Sequence, residues 1–241
     1  MTLLLAYSIV ALSALIHASF QLSVSTFTLM SGHHLGRGRS QKRLVNLIGG
    51  FLLGVVTMTT LLLCTTSLIA QSLALHIQFS VLWSAACGLA FGVGVAVWMF
   101  YYPRKGKGTT LWLPRKTAEY IAERSQKTSN SGEAFGLGLA SVFGELVFIS
   151  APIFIAAMAL ISRPPLEQLG GVVVYVALSS LTIAIVAALV GGGHKISEIQ
   201  KWRESNKGFL QFIAGSGLLA LGFSIYVNEI LAIVQNGGGI G

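Results

Sequence analysis

The chain has 241 residues, of which 54% are hydrophobic and only 10% are charged, whereas soluble domains carry about 25% charged residues. A chain this apolar cannot hide its side chains in a globular core of its own size, so an ordinary soluble domain is excluded and a lipid bilayer is the natural solvent. The net charge of +8 does not indicate nucleic-acid binding, because the basic residues lie in loops between apolar runs.

Six apolar segments are long enough to cross a bilayer, which requires about 20 residues. The first lacks the basic region of a signal peptide and continues past Phe20 to Met30, so it predicts a retained span. Glycine pairs at GxxxG spacing, Gly50 with Gly54 and Gly88 with Gly92, favour close helix packing in the second and third spans. The six predicted spans are residues 3–30, 44–70, 80–101, 135–162, 170–191 and 209–235.

Loop charge predicts the orientation. Fifteen of the sixteen basic residues lie in the first, third and fifth loops, Ser31–Arg43, Tyr102–Gly132 and Gly193–Gly208, and the remaining one is Arg163. Lys and Arg collect on the cytoplasmic side of a membrane. We therefore expect a multi-pass protein of the plasma (inner) membrane with both termini outside and a basic inner face that attracts anionic lipid. The third loop contains a segment, 114–126, that fits either a helix on the membrane surface or a solvated linker.

Three spans, a basic linker and three more spans indicate an internal duplication. The predicted units are a first repeat (1–101), a cytoplasmic linker (102–134) and a second repeat (135–241). An odd number of spans in each half forces the halves into opposite orientations, which is the inverted-repeat plan of many transporters. Two local similarities support it: Ala18–Leu22 resembles Ser141–Leu146, and Gly88–Gly92 resembles Gly217–Gly222.

Two further stretches, Ile149–Ile153 and Phe212–Gly222, carry a resemblance to a known superfamily. The chain resembles the lysine exporters and the CcdA-type (DsbD transmembrane) thiol-disulfide electron transporters, and the resemblance implies an all-α, six-span, 3+3 inverted-repeat membrane fold. The electron-transporting branch has a Cys beside Pro in the first helix of each half, but Leu22–Thr26 and Phe148–Pro152 contain no Cys. The exporter branch has Asn before Pro in span four, where Ala precedes Pro152. The resemblance therefore implies the fold and leaves the activity open.

Polar residues recur on one face of span one. Ser13, His17, Gln21 and Ser25 are spaced four apart, which places them on the same side of a helix. Ionisable groups inside a span are costly to bury, so His17 is a functional candidate, although a single His is as often a hydrogen-bonded packing residue.

Span four contains the only carboxylate well inside any predicted span. Glu145 must face the protein interior with a partner or a raised proton affinity. Ser150 and Pro152 follow it, and Pro152 is expected to loosen the helix because it lacks a backbone donor. The inverted repeat would place Glu145 and Gln21 at similar depth on facing helices.

Other side chains have two interpretations each. Cys64 and Cys87, in spans two and three, form either a redox pair or two small buried apolar groups. A set of hydroxyls in spans two and five either lines a route or bonds its own helices: Thr57, Thr59, Thr60, Thr65, Thr66, Tyr175, Ser179, Ser180 and Thr182.

These features predict a secondary transporter, a proton-coupled exporter of a small polar solute with a midplane site between spans one and four. The expected site residues are His17, Gln21, Ser25, Glu145, Ser150 and Pro152. No glycine-rich phosphate loop occurs, so we expect no ATP-driven step. We also expect no enzyme activity and no cofactor, and one carboxylate does not suit a divalent metal. Homo-oligomerisation is open. The alternatives are a membrane thiol/disulfide redox protein and a non-transporting scaffold subunit.

Overall fold

The computed structural model describes residues 1–20, 22–35, 41–101, 120–121, 123–125 and 127–231, and all regular secondary structure in these ranges is helical. Residues 120–121, 123–125 and 127 of the linker are helical. π-Helical segments follow α4 at Val97–Tyr101 and α10 at Tyr226–Ile230. In chain order, the main helices are α1 (Leu3–Ser19), α2 (Leu22–Leu35), α3 (Gln41–Ala74), α4 (Phe79–Ala96), α5 (Ser131–Gly144), α6 (Leu146–Leu160), α7 (Pro165–Ser179), α8 (Leu181–Gly191), α9 (Ile196–Ser205) and α10 (Lys207–Ile225).

Three helices in the described chain are each long and apolar enough to cross a bilayer: Leu44–Ala74, Phe79–Met99 and Gly208–Ile230. Three bent pairs pass the same test together, so the number of spans rises to six if each pair is one span. Large apolar side chains point outward along these helices, including Leu4 and Leu68, which are 79% and 67% exposed. Such an apolar exterior is expected for a membrane protein.

The bent pairs coincide with predicted spans one, four and five. The axes turn by 45° between α1 and α2, by 80° between α5 and α6, and by 48° between α7 and α8. Hydroxyls bond back to their own helix at two of the breaks: Ser19 donates to the carbonyl of Ile16 and Ser179 to that of Val176. Such local bonds favour a bend over a straight helix. At the remaining break, between α5 and α6, the glycine Gly144 precedes the bend and favours it as well.

The helices on either side of the breaks form two layers. α1, α6 and α7 pack together on one side, whereas α2 contacts α5, α8 and α9 on the other. α6 is the centre of the fold, since most of its side chains are buried, and α3 runs along α5 while also contacting α6, α7 and α8. All three breaks therefore lie between the two layers.

Glycine sets the closest helix contact. A methyl group at Gly50 would collide with the carbonyl of Ser131, and one at Gly54 with the carbonyl of Phe135. The prediction of close packing is confirmed for this pair. It is wrong within the described chain for Gly88 and Gly92, where a methyl group would meet nothing. Their span instead approaches α10 through another glycine, Gly94, which lies beside Leu218 and Leu219.

Candidate functional site

The three helix breaks meet around a small cavity. Phe20 from the first break, Glu145 from the second and Ser179 from the third all line it. Its volume is about 20 Å³, which is enough for about one water molecule. Irregular backbone at membrane depth is tolerated where it lines such a cavity. Most of its polar lining is uncharged, and the polar side chains are His17, Ser23, Thr59, Glu145, Ser179 and Thr182.

Glu145 lies at the sharpest break and is only 3% exposed. Its carboxylate oxygen Oε1 accepts a 2.7 Å hydrogen bond from the backbone N–H of Ser23, the second residue of α2. The first N–H groups of a helix lack intrahelical partners and carry partial positive charge. The carboxylate at the break of one bent helix pair thus caps a helix of another pair.

A buried cation contacts the same turn of α2. Arg203 of α9 is 6% exposed, and its Nη2 donates a 2.8 Å hydrogen bond to Oγ of Ser25. Burial lowers the pKa of the Arg203 guanidinium well below its ordinary value, to about 10, while the negative charge of Glu145 acts in the opposite direction. Glu145 and Arg203 therefore bond residues of the same turn of α2, Ser23 and Ser25.

The cavity wall formed by α1 is held by bonds between helices. His17 is buried, and its Nδ1 is 3.0 Å from the hydroxyl of Tyr175 in α7. Thr182 of α8 donates a 3.0 Å hydrogen bond to the carbonyl of Ala18, near the end of α1. Both contacts join α1 to the α7–α8 pair. His17 is thus a hydrogen-bonded packing residue that also lines the cavity, and its role as a site residue stays a prediction.

The remaining predicted site residues fall in different places. Gln21 lies outside the described residues. Ser150 donates to the carbonyl of Val147 in its own helix and does not line the cavity. α6 runs through Pro152 without a break, and the break of this pair occurs seven residues earlier, at Glu145.

The two cysteines are free thiols in different environments. Cys64 is exposed on α3, whereas Cys87 is buried and its Sγ donates to the carbonyl of Gly222 in α10 at 3.3 Å. Within the described part of the chain, no group of three or more His, Cys, Asp or Glu residues could hold a metal ion.

Two residues of the site escaped the sequence argument. Ser23 contributes its backbone N–H, which any residue type would supply, so nothing in the sequence marks it. By sequence, Arg203 is one more basic residue of a cytoplasmic loop. A usable signal is that Arg203 lies seven residues after Ile196, which places both on the same face of α9, and both are buried. Of the hydroxyl set, Thr59, Ser179 and Thr182 line the cavity, whereas Thr60 bonds its own helix.

The comparisons with known proteins give no match: no family model, no curated protein and no solved structure is significantly similar to the chain. The function must be argued from the geometry. A buried carboxylate that caps one half-helix, beside a cavity of one-water size, can take up and release a proton. The surrounding hydroxyls can both donate and accept hydrogen bonds.

Proposed function

We propose that this protein is a proton-coupled secondary transporter that exports a small polar solute through a midplane site between spans one, four and five. The observation that carries the proposal is the meeting of three helix breaks around one small cavity that is lined by Glu145 and several hydroxyl-bearing residues. Discontinuous helices whose ends surround a site at membrane depth are the usual way in which secondary transporters bind solutes and coupling ions.

Each bent pair is taken as one span, which gives six spans in two inverted halves with both termini outside. Several features support this arrangement. The first span of each half is broken, and the last span of each half ends in a five-residue π-helical segment, Val97–Tyr101 and Tyr226–Ile230. Span one contacts span six, and span four contacts span three, as a two-fold relation requires. The break in span five, with α3 unbroken, is a departure from symmetry.

Glu145 is the proton carrier in this proposal. Its carboxylate is held by Ser23 and compensated by Arg203 when ionised. Protonation would remove the charge that holds the first turn of α2 in place. A cavity of one-water size cannot accommodate a solute unless the half-helices move apart, so movement at the breaks is the expected transport step.

The lining favours a polar organic solute. Hydroxyls of Ser23, Thr59, Ser179 and Thr182 surround the cavity, whereas a hard dication needs several oxygen ligands of which more are carboxylates. The superfamily resemblance to lysine exporters and CcdA-type transporters remains a hypothesis about the fold. The separate environments of Cys64 and Cys87 lend the redox alternative no support.

The experiment is uptake by purified protein in liposomes with an imposed pH gradient. The probe is the low-molecular-mass fraction of a cell extract, and mass spectrometry compares liposomes containing the protein, the Glu145→Gln variant, or no protein. We expect at least one polar solute to accumulate only with the unaltered protein and only with the gradient. Equal contents in all three preparations would contradict the proposal and favour a scaffold role.

The orientation has its own test. His76 lies in the loop between α3 and α4 and His194 between α8 and α9, and both are exposed. In a Cys64→Ser, Cys87→Ser background, His76→Cys should react with an impermeant maleimide in intact cells, whereas His194→Cys should react only when the inner face is opened. The reverse pattern would overturn the proposed orientation.

A further inference from the structure

We propose that a groove between the basic linker and the N-terminal part of α5 binds one anionic phospholipid, whose phosphate contacts Arg124 and Lys127 and whose acyl chain lies along Gly136 and Ala140. This inference goes beyond the proposed function, because it concerns a separate part of the surface and requires no transport.

The groove, called the linker groove below, has the size of a ligand site. Its volume is about 380 Å³, and ligand pockets measure about 300–1,000 Å³. It shares no lining residue with the small cavity at the helix breaks. Its walls come from the end of the linker and from α5, and the lining residues are Tyr120, Arg124, Lys127, Thr128, Glu133, Gly136, Leu137 and Ala140.

The linker wall of the groove is anchored to the body of the protein. Ile121, Ser125 and Thr128 are buried, and Ile121 belongs to the hydrophobic core. Residues spaced three and four apart share one face of a helix, so this set forms the attached face of the segment. The other face carries exposed aromatic and basic side chains that line the groove: Tyr120, Arg124 and Lys127.

Arg124 supplies a positive charge that is not matched within the groove. In the part of the chain that the structure describes, no carboxylate forms an ion pair with it, and its guanidinium lies over the ring of Tyr120, 5.6 Å from the ring centroid. Lys127 pairs with Glu123, but both side chains are exposed, and an exposed pair of this kind is weak. A lysine ammonium has three donors, so Lys127 can also bind a phosphate oxygen.

The carboxylate in the described lining, that of Glu133, is engaged at the start of α5. It accepts a hydrogen bond from the N–H of Ser129, while the N–H of Glu133 donates to Oδ1 of Asn130. This reciprocal capping, together with the partial positive charge of a helix N-terminus, compensates the carboxylate. The groove therefore retains an attraction for an anion, and Arg and Lys form short, charge-assisted bonds with phosphate.

The α5 wall favours a lipid over a soluble anion. Gly136, Leu137 and Ala140 offer no polar side chain, and they lie in the predicted fourth span, 135–162. A methyl group at Gly136 would meet no described atom within 4 Å, so the groove is open where the acyl chain would lie. A phospholipid joins an anionic group to hydrocarbon, and basic pockets beside spans on the cytoplasmic side bind such head groups.

The experiment measures lipid binding by the 241-residue chain, purified and delipidated in a non-ionic detergent. Dioctanoyl phosphatidylglycerol or dioctanoyl phosphatidylcholine is added stepwise, and native mass spectrometry counts the bound molecules. For the first molecule bound, we expect phosphatidylglycerol to have a Kd about tenfold lower, since only this lipid has a net charge for Arg124 to compensate. Equal Kd values would overturn the proposal. Displacement of phosphatidylglycerol by millimolar inorganic phosphate would also overturn it and would indicate a site for soluble anions.

Variants locate the site. Arg124→Gln should raise the Kd for phosphatidylglycerol about tenfold, as expected for the loss of one charge-assisted hydrogen bond. Lys201→Gln removes an exposed positive charge of α9, away from the groove, and should bind like the parent. Gly136→Leu fills the groove and should raise the Kd at least as much as Arg124→Gln does. Gly88→Leu is its control, because a side chain there also meets no described atom.

If Arg124→Gln and Lys201→Gln bind alike, the basic surface as a whole attracts the lipid and the linker groove is not the site. If Gly136→Leu binds like Gly88→Leu, the acyl chain does not lie along α5. Either result would overturn the proposal. Should Arg124→Gln fail to fold, the comparison of the two leucine variants decides.

Discussion

The helix pair α4–α10 and the broken helices around Glu145 differ in the groups through which their helices contact each other. α4 and α10 are unbroken, and they meet through small residues such as Gly94 and Gly222 and through a stacked pair, Trp98 with Phe212, whose ring centroids are 5.6 Å apart. Their described contact includes one weak polar bond, from the thiol of Cys87. The broken helices instead meet through a carboxylate, hydroxyls and a buried histidine.

The difference lies in the backbone. An unbroken helix satisfies its own N–H and C=O groups and needs only shape to pack in lipid. Each break leaves backbone groups without intrahelical partners, and side chains of other helices then supply the bonds. Glu145 accepts a hydrogen bond from the N–H of Ser23, and Thr182 donates one to the carbonyl of Ala18. Polar groups at the breaks can exchange partners, which apolar helix packing does not offer. This contrast predicts that substitutions in the two regions differ in kind.

The largest structural effect is expected where α3 supports the broken region. Gly54→Leu places a side chain against the carbonyl of Phe135 in α5, with backbone on both sides and no room to yield. We expect a loss of about 3 kcal/mol in the free energy of unfolding, measured as a lower thermal unfolding temperature and a smaller monodisperse fraction in detergent.

Gly88→Leu on α4 is the matched control, because a side chain there meets no described part of the chain. It should leave stability unchanged or slightly improved, since leucine favours a helix more than glycine does. Equal damage from both substitutions would show that glycine acts here through helix propensity and not through the close α3–α5 contact.

An intermediate effect is expected at the bond between His17 and Tyr175. His17→Ala leaves the buried hydroxyl of Tyr175 without its partner, at a cost of about 1–3 kcal/mol. Tyr175→Phe removes the hydroxyl while keeping the ring. In the double variant, the cost should be clearly less than the sum of the two single costs, as a double-mutant cycle of unfolding free energies would show. Strict additivity would mean that the 3.0 Å contact contributes nothing.

Much of this architecture follows from the sequence. The apolar run 44–70 corresponds to the membrane part of α3, and the close approach at Gly50 and Gly54 follows from their spacing. Glu145 was expected to face the interior because lipid would not tolerate it, and it does. The six-span count, the repeat and the orientation remain predictions that the structure is consistent with.

The breaks did not follow from the sequence, for a physical reason. Hydropathy is averaged over about 20 residues, so the two serines at a bend, Ser179 and Ser180, lower the average hydropathy of the segment only slightly. Pro152 drew attention because proline disfavours helices, yet α6 continues through it. The partner of Glu145 was equally hidden, since Arg203 is 58 positions away in sequence and only the fold brings α9 against α2.

The smallest effect is expected at the bond that crosses the third break. Thr182→Val removes the hydrogen bond to the carbonyl of Ala18 and should cost about 1 kcal/mol in stability. Thr60→Val is the control, because Thr60 donates to the carbonyl of Val56 within its own helix. That carbonyl keeps its intrahelical N–H partner when the hydroxyl is removed. Thermal unfolding compares the two, and a larger loss in Thr60→Val would contradict the view that bonds between broken helices matter more than bonds within unbroken ones.

The central claim is that Glu145 carries the proton that drives the solute, and it is tested by separating net flux from exchange in liposomes. With the solute identified by uptake, an outward solute gradient should move protons in liposomes containing the unaltered protein, as reported by an internal pH dye. Glu145→Gln should abolish proton movement while retaining solute-for-solute exchange. Glu229→Gln, in the π-helical segment after α10, should behave like the parent. Proton-coupled flux that persists in Glu145→Gln across the pH range would contradict the account.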